Sequence, residues 1–195
     1  MHRNKLIDWD RRIYSVLQGR LRAGWANRPM ILITQSGTKG TIWLIIAAVV
    51  FVAGGAHGRH AAALSVASLL LAEGIINLVL KPAIARERPY GQRGPGRLRT
   101  LLVKAPGPHS WPSAHAGASM AAAVVLSVYY PQFAPVFLAL AVLIAYSRVY
   151  VGVHFPLDVL AGSAIGAICA ATVLTCSLVL SPLHLPVVSG LVPMW

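Results

Sequence analysis

The 195-residue chain is 56% hydrophobic and only 11% charged, with a mean hydropathy of +0.66. A water-soluble domain carries about 25% charged residues, so this composition excludes an ordinary soluble enzyme and predicts an integral membrane protein, one compact domain over residues 1–195. The net charge of +12 could suit nucleic acid, but basic-aromatic interleaving and recognition motifs are missing; a basic membrane protein instead attracts anionic headgroups and phosphorylated ligands.

The first 25 residues are charged throughout and hold no apolar core, so no signal peptide is expected. Residues 4–22 predict an amphipathic helix. Leu6, Trp9, Ile13, Val16, Leu17 and Leu21 recur at three and four, while Arg11, Arg12, Arg20 and Arg22 sit elsewhere. A basic helix with Trp and Leu on its apolar side belongs in the membrane interface, and residues 1–36 are read as that interfacial segment. Within it, 27–36 is apolar but too short to span, and Gly37 and Gly40 mark a turn.

Five stretches can then cross a bilayer, which needs about 20 mostly apolar residues: 40–57, 61–80, 114–130, 133–150 and 157–180, the first and third being marginal in length. The expected fold is all-α, a polytopic transmembrane bundle of about five spans behind an interfacial helix. The Gly-, Pro- and Arg-rich run 90–108 is its one long loop, and 182–195 is read as an interfacial tail. Cys169 and Cys176 lie seven apart, about 10.5 Å along a helix, beyond the roughly 7 Å that a disulfide allows, so both are expected free. Gly162, Gly166 and Ala170 fall at four-residue intervals, a spacing that lets helices approach closely.

Three polar islands interrupt the apolar segments: Lys81, Arg88 and Pro89; Pro112, Ser113 and His115; Ser147, Arg148, His154 and Asp158. Each lies at a span boundary. Spanning segments must be continuous helices, so antiparallel threading brings the ends of the second and fourth spans and the starts of the third and fifth to one face of the membrane. All three islands thereby meet at one interface. Lys81, Arg88 and Arg148 can grip phosphate oxygens, and Arg can bind two at once. Backbone N–H groups from Ser113 to Ala116 open the third span and suit an anion. Two histidines supply the two roles of phosphoryl transfer to a side chain, attack on phosphorus and protonation of the departing oxygen. His154 has Asp158 four residues on, so on a helix they share a face; a carboxylate behind an imidazole fixes its tautomer. His154 is therefore assigned as nucleophile and His115 as acid.

Glu73, Asn77 and Lys81 fall at i, i+4 and i+8 within the second span, where an ionisable residue is costly and is usually functional or paired. The stripe is read as pointing into the bundle, with Glu73 either bonded to a neighbouring helix or orienting a cation. His109 lies in the same loop as His115 and is a further candidate to touch substrate. Arg86, Arg93, Arg97, Arg99 and Lys104 belong to no motif and are read as a solvated basic loop; His57 and His60 are read as solvated in a turn.

Lys81-x6-Arg88-Pro89, Pro112-Ser113-Ala114-His115 and Ser147-Arg148-x5-His154-x3-Asp158 resemble the three signature motifs of the type 2 phosphatidic-acid phosphatase family, over about residues 61–180. Bacterial polyprenyl-diphosphate phosphatases and the vanadium haloperoxidases are relatives. The resemblance implies hydrolysis of a lipid-linked phosphomonoester or diphosphate through a phosphohistidine, with no metal and no cofactor. It assigns His154 as nucleophile, Asp158 as its orienter and His115 as general acid; Lys81, Arg88, Arg148 and Ser113 hold the phosphate, and Ser147 supports Arg148 or His154. One position departs: the second motif usually has Gly where this chain has Ala114, which keeps the backbone N–H.

Membrane lipids and a phosphorylated lipid are the expected partners, with no nucleic acid and an oligomer left open. A polyprenyl diphosphate such as undecaprenyl diphosphate is slightly favoured over phosphatidic acid or phosphatidylglycerol phosphate. The rivals are a lipid phosphotransferase, a vanadate-dependent peroxidase and a non-catalytic lipid binder. A multi-pass location in the cell membrane follows, but its sidedness is divided. Sixteen of the 17 Lys and Arg fall on the site's side and only Arg59 on the other, which favours the cytoplasm, whereas the resemblance favours the outer face.

Overall fold

The computed structural model describes residues 5–20, 22–91 and 101–180, with only the backbone of Arg20. The readings made for Leu21, Arg93, Arg97, Arg99 and the tail 182–195 lie outside these residues. Among the described residues eight α-helices follow in order: α1 (Lys5–Arg20), α2 (Asn27–Ser36), α3 (Thr41–Ala53), α4 (Gly55–Gly74), α5 (Lys81–Ile84), α6 (Ala114–Tyr129), α7 (Ala134–Tyr150) and α8 (Pro156–Leu180). A π-helical stretch, Ile75–Leu80, joins α4 to α5 into one 30-residue rod, Gly55–Ile84.

Among the described residues three helical segments are individually long and apolar enough to cross a membrane: Gly55–Ile84, Pro131–Tyr150 and Pro156–Leu180. The first predicted span, 40–57, is corrected in two ways. Gly55 takes φ +59, so the chain turns at 54–55 and His57 belongs to α4. At its other end α3 pairs with α2 across a 59° bend, and Gly24–Ser36 with Thr38–Ala53 has the length and apolarity of one broken crossing. Lys39 (φ 50) and Gly40 (φ 69) make that bend, a left-handed conformation that breaks the helical hydrogen-bond ladder.

The bundle is small inside and large outside. α6 is its axis, packed against α4, α7 and α8. It buries Ala114, Ala116, Gly117, Ala118, Ala121, Ala122 and Ala123. Leu44, Val49, Leu70, Leu78, Val136, Val142, Leu160 and Ile168 are exposed on the outer helices, the arrangement expected where the solvent is hydrocarbon and tight packing holds helices together. A methyl at Gly162 would strike the Ser113 carbonyl, and one at Gly166 the Gly117 carbonyl. The small-residue stripe of α8 therefore sets its distance from α6. Cys169 is buried and Cys176 exposed, and both are free.

α1 buries its polar side. Asp10, Tyr14 and Gln18, at i, i+4 and i+8, are 0%, 1% and 2% exposed, whereas Leu6, Trp9 and Val16 of the predicted apolar face stand out at 65%, 52% and 47%. Hydrogen-bonding groups on the neighbouring loop select the face that packs inward. His57 and His60 are exposed but partnered, His57 Nε2 lying 3.1 Å from the Tyr129 carbonyl and His60 Nε2 3.1 Å from the Ser177 hydroxyl.

Candidate active site

The ends of the long rod, α6 and α7, with the turn before α8, enclose a cavity of about 330 Å³. Lys81, Arg88, His109, His115, Arg148 and His154 all line it, with Glu73 and Asn77 deeper along the rod and Thr38 and Lys39 from the bend between α2 and α3.

Each of the three cations of the motifs is aimed by a neutral partner. Lys81 Nζ donates to Asn77 Oδ1 (2.6 Å), and Asn77 Nδ2 donates to Glu73 Oε2 (3.2 Å). The stripe read from the sequence is thus one hydrogen-bonded chain. Glu73 bonds within its own rod, which corrects the alternative of a bond to a neighbouring helix. Arg148 Nη1 donates to Thr34 Oγ1 of α2 (2.6 Å), and its buried Nε has no partner among the described residues. Arg88 Nε donates to the Gly107 carbonyl (2.6 Å) and Nη1 to the Val153 carbonyl (2.8 Å), with the same Nη1 3.2 Å from His154 Nε2.

A guanidinium has no acceptor, so His154 Nε2 is the accepting nitrogen and Nδ1 carries the proton. Nδ1 lies 3.4 Å from Asp158 Oδ2, a long contact, and makes no hydrogen bond among the described residues. Burial first, then Arg148, Arg88 and Lys81, hold the His154 imidazole well below the ordinary histidine range, against a main-chain contact from Ser110. The resting imidazole is therefore neutral. His115 Nε2 is buried and has no hydrogen-bond partner among the described residues, an orphan that a ligand in the cavity would satisfy.

His154 and Asp158 do not share a helical face as expected. His154 precedes α8, whose first residue is Pro156, a residue favoured there because its missing N–H is not needed. Asp158 sits in the first helical turn and turns back to accept the Phe155 N–H at Oδ2 (2.8 Å), one half of a capping box. The cap, not helical periodicity, brings carboxylate and imidazole together.

Three further residues stand behind the wall. Asp158 is fully buried and does not line the cavity. The Ser147 hydroxyl donates to the Ile144 carbonyl of its own helix (2.6 Å). Ser113 is fully buried, and its N–H donates to the Asp158 carbonyl (2.9 Å), so that amide is already committed and does not face an anion. Of the amides expected to cradle one, those of Ala114 and His115 belong to residues lining the cavity.

Arg86 is the main correction. It was read as solvated, yet Nη1 donates to Asp158 Oδ1 (2.7 Å), Nη2 donates to Asp10 Oδ2 (2.5 Å), and its carbon sits 4.4 Å over the Phe155 ring. Its one sequence signal is its place two residues before Arg88, which puts both on one side of an extended segment. Ser110, whose N–H donates to the Arg86 carbonyl (2.8 Å) and whose hydroxyl donates to the Glu87 carbonyl (3.2 Å), pins that segment. Asp10, Thr34, Thr38 and Lys39 were also missed, because all lie before the motif-bearing core.

A family model described as the PAP2 superfamily matches residues 62–180. Over 94 residues the chain is 39% identical to an undecaprenyl-diphosphatase of Sulfolobus acidocaldarius, covering 48% of this chain and 44% of that one. Over 95 residues it is 33% identical to a lipid A 1-phosphatase of Rhizobium johnstonii, covering 48% and 39%. Each match thus spans less than half of the curated relative. Among solved structures, a phosphatidylglycerolphosphate phosphatase of PAP2 type from Bacillus subtilis superimposes with a TM-score of 0.65 at 26% identity, over 90% of this chain and 88% of that one. LpxE from Aquifex aeolicus shares the fold, with a TM-score of 0.71 at 24% identity over 84% and 93%.

Proposed function

The chain belongs to the PAP2 superfamily, and from that premise we propose that it hydrolyses a lipid-linked phosphate ester or anhydride through a phosphohistidine. The observation that carries this reading is the His154 imidazole, neutral, with Nε2 beside Arg88 (3.2 Å) in a cavity that Lys81, Arg148 and His115 also line.

In the first step the phosphate takes over Arg88 and receives Lys81 and Arg148, which balance the charge that builds on its oxygens. His154 Nε2 attacks phosphorus, the bond from phosphorus to the leaving oxygen breaks, and His115 gives that oxygen a proton. Asp158 stabilises the positive charge on the imidazole through Nδ1–H. In the second step water attacks the phosphohistidine, His115 takes its proton, and inorganic phosphate leaves with His154 restored. Neither step calls on a metal.

We assign a polyprenyl diphosphate as the preferred substrate. Lys39, which also lines the cavity, is a fourth cation, with no hydrogen bond or ion pair among the described residues, and a diphosphate brings a second phosphate for it. The similarity to an undecaprenyl-diphosphatase supports the same choice. The deciding experiment is phosphate release by the detergent-purified protein from polyprenyl diphosphate, phosphatidic acid and phosphatidylglycerol phosphate, with and without EDTA. The expected outcome is the highest kcat/KM on the diphosphate, unchanged by chelation. Release from none of the three would overturn the reading. Transfer to an added alcohol in preference to water would favour the phosphotransferase.

His115→Ala should split substrates by leaving group. A general acid contributes about 10²–10⁴-fold, and that factor is lost on an alkyl phosphate, whose alkoxide departs poorly. On an aryl phosphate, whose phenolate departs without help, phosphoenzyme formation should slow far less. Equal losses on both would remove His115 as the acid.

A further inference from the structure

α1 lies outside the residues matched by the family model, yet its buried stripe touches both sides of the turn that carries His154. Gln18 Nε2 donates to the carbonyls of Val149 (2.5 Å) and Tyr150 (2.9 Å) at the end of α7. Tyr14 donates to the Gly152 carbonyl (3.4 Å). Asp10 Oδ1 accepts the Leu157 N–H (2.9 Å) in the first turn of α8. One helical face thus staples residues 149–157 at three points.

Asp10 also reaches the reacting group through an electrostatic chain. Its second oxygen takes Arg86 Nη2, and the other arm of that guanidinium holds Asp158 Oδ1, while Asp158 Oδ2 faces His154 Nδ1. Two fully buried carboxylates share one guanidinium. A carboxylate that had Arg86 to itself would pair with both arms, the geometry guanidinium groups favour, and would draw Oδ2 off the Phe155 N–H that caps it and away from the imidazole. By occupying one arm, Asp10 leaves Asp158 a single bond to Arg86 and its other oxygen for His154.

We propose that α1 is part of the catalytic apparatus: Asp10, acting through Arg86, is a positioning residue that keeps Asp158 turned toward His154. The proposal rests on the phosphohistidine reading above. It predicts that losing Asp10 impairs turnover and spares substrate capture, because the cations that hold the phosphate are untouched.

The test compares Asp10→Asn, Arg86→Gln, their double variant and His154→Ala in the full-length protein, with kcat and KM measured on a short-chain polyprenyl diphosphate in detergent. Asp10→Asn preserves shape and can still accept the Leu157 N–H, but offers Arg86 no second anion. Its kcat should fall by about 10-fold or more, within the roughly 10²-fold that a misplaced reacting group can cost, with KM within about twofold. The double variant should be no slower than the slower single one, since both act on one path. If Asp10→Asn does not fold, Arg86→Lys carries the same test, because an ammonium keeps the charge without a fork to bridge two carboxylates. Normal kcat in the folded variants, or losses that multiply in the double variant, would overturn the proposal while an inactive His154→Ala left the catalytic reading standing. Activity in His154→Ala would overturn that reading itself.

Discussion

His154→Ala should abolish phosphate release, a loss of roughly 10⁴-fold or more, as for other covalent nucleophiles. The replacement leaves Lys81, Arg88 and Arg148 in place, so the variant should still bind inorganic phosphate with affinity near the parent's. The measurement pairs turnover with trapping of a labelled phosphoenzyme, acid-labile and alkali-stable, present in the parent and missing in the variant. His154→Asn, nearer in volume, controls for the hole left in a site only 2% exposed; melting temperatures in detergent should separate loss of chemistry from loss of fold. A labelled phosphoenzyme in His154→Ala would remove the nucleophile.

The same residue fixes the pH dependence. Burial and three cations disfavour the imidazolium, so His154 takes up a proton only below the ordinary value of 6.5. The unprotonated imidazole therefore persists through pH 6.5, and its acid limb in kcat/KM, which reports the free enzyme, should lie below that value. Two substrates of different phosphate pKa separate the enzyme's limb from the substrate's. An enzyme limb at or above 6.5 would contradict the electrostatics of the site.

Gly166→Ala should also cost activity, though less and by another route. Its new methyl would meet the backbone of Gly117, carbonyl and Cα alike, and backbone cannot turn aside as a side chain can. α6 and α8 must separate, at a cost of about 1–3 kcal/mol for overpacking. The shift also strains the bond from the Ser113 N–H to the Asp158 carbonyl, which ties the two helices where the site begins. Because a misplacement of about 1 Å can cost roughly 10²-fold in rate, turnover should fall by a similar factor alongside the melting temperature. Gly74→Ala, whose methyl would meet nothing within 4 Å, should keep both, with a slight gain in helix stability. Equal behaviour of the two variants would mean that helix spacing does not control the site.

Much of this was legible in the sequence because a membrane limits the choices. Hydrocarbon requires continuous apolar helices, so hydropathy located α4, α7 and α8, and threading alone gathered Lys81, Arg88, His115, Arg148 and His154 from three distant islands onto one cavity. Helical periodicity likewise gave the chain from Lys81 through Asn77 to Glu73. These are local rules acting along single helices, and the order of helices did the rest.

Tertiary packing decided what no local rule reaches. The turn at Gly37 and Gly40 was legible, but the pairing of α2 with α3 across it as one broken crossing was not, and Lys39 gave no residue-type signal for its left-handed backbone. The side of α1 that turns inward follows from carbonyls and an amide at 149–157, more than a hundred residues away, waiting for Gln18, Tyr14 and Asp10. Arg86 could not be told from its solvated neighbours until Asp10 and Asp158 were brought to its two arms. The sequence by itself determined the three long spans, the meeting of the three motifs and the types of side chain that line the cavity. Which buried charges hold those groups in place was decided only by the fold, because the partner of a buried charge is chosen by proximity in space, and proximity across a bundle is a property of the whole packing.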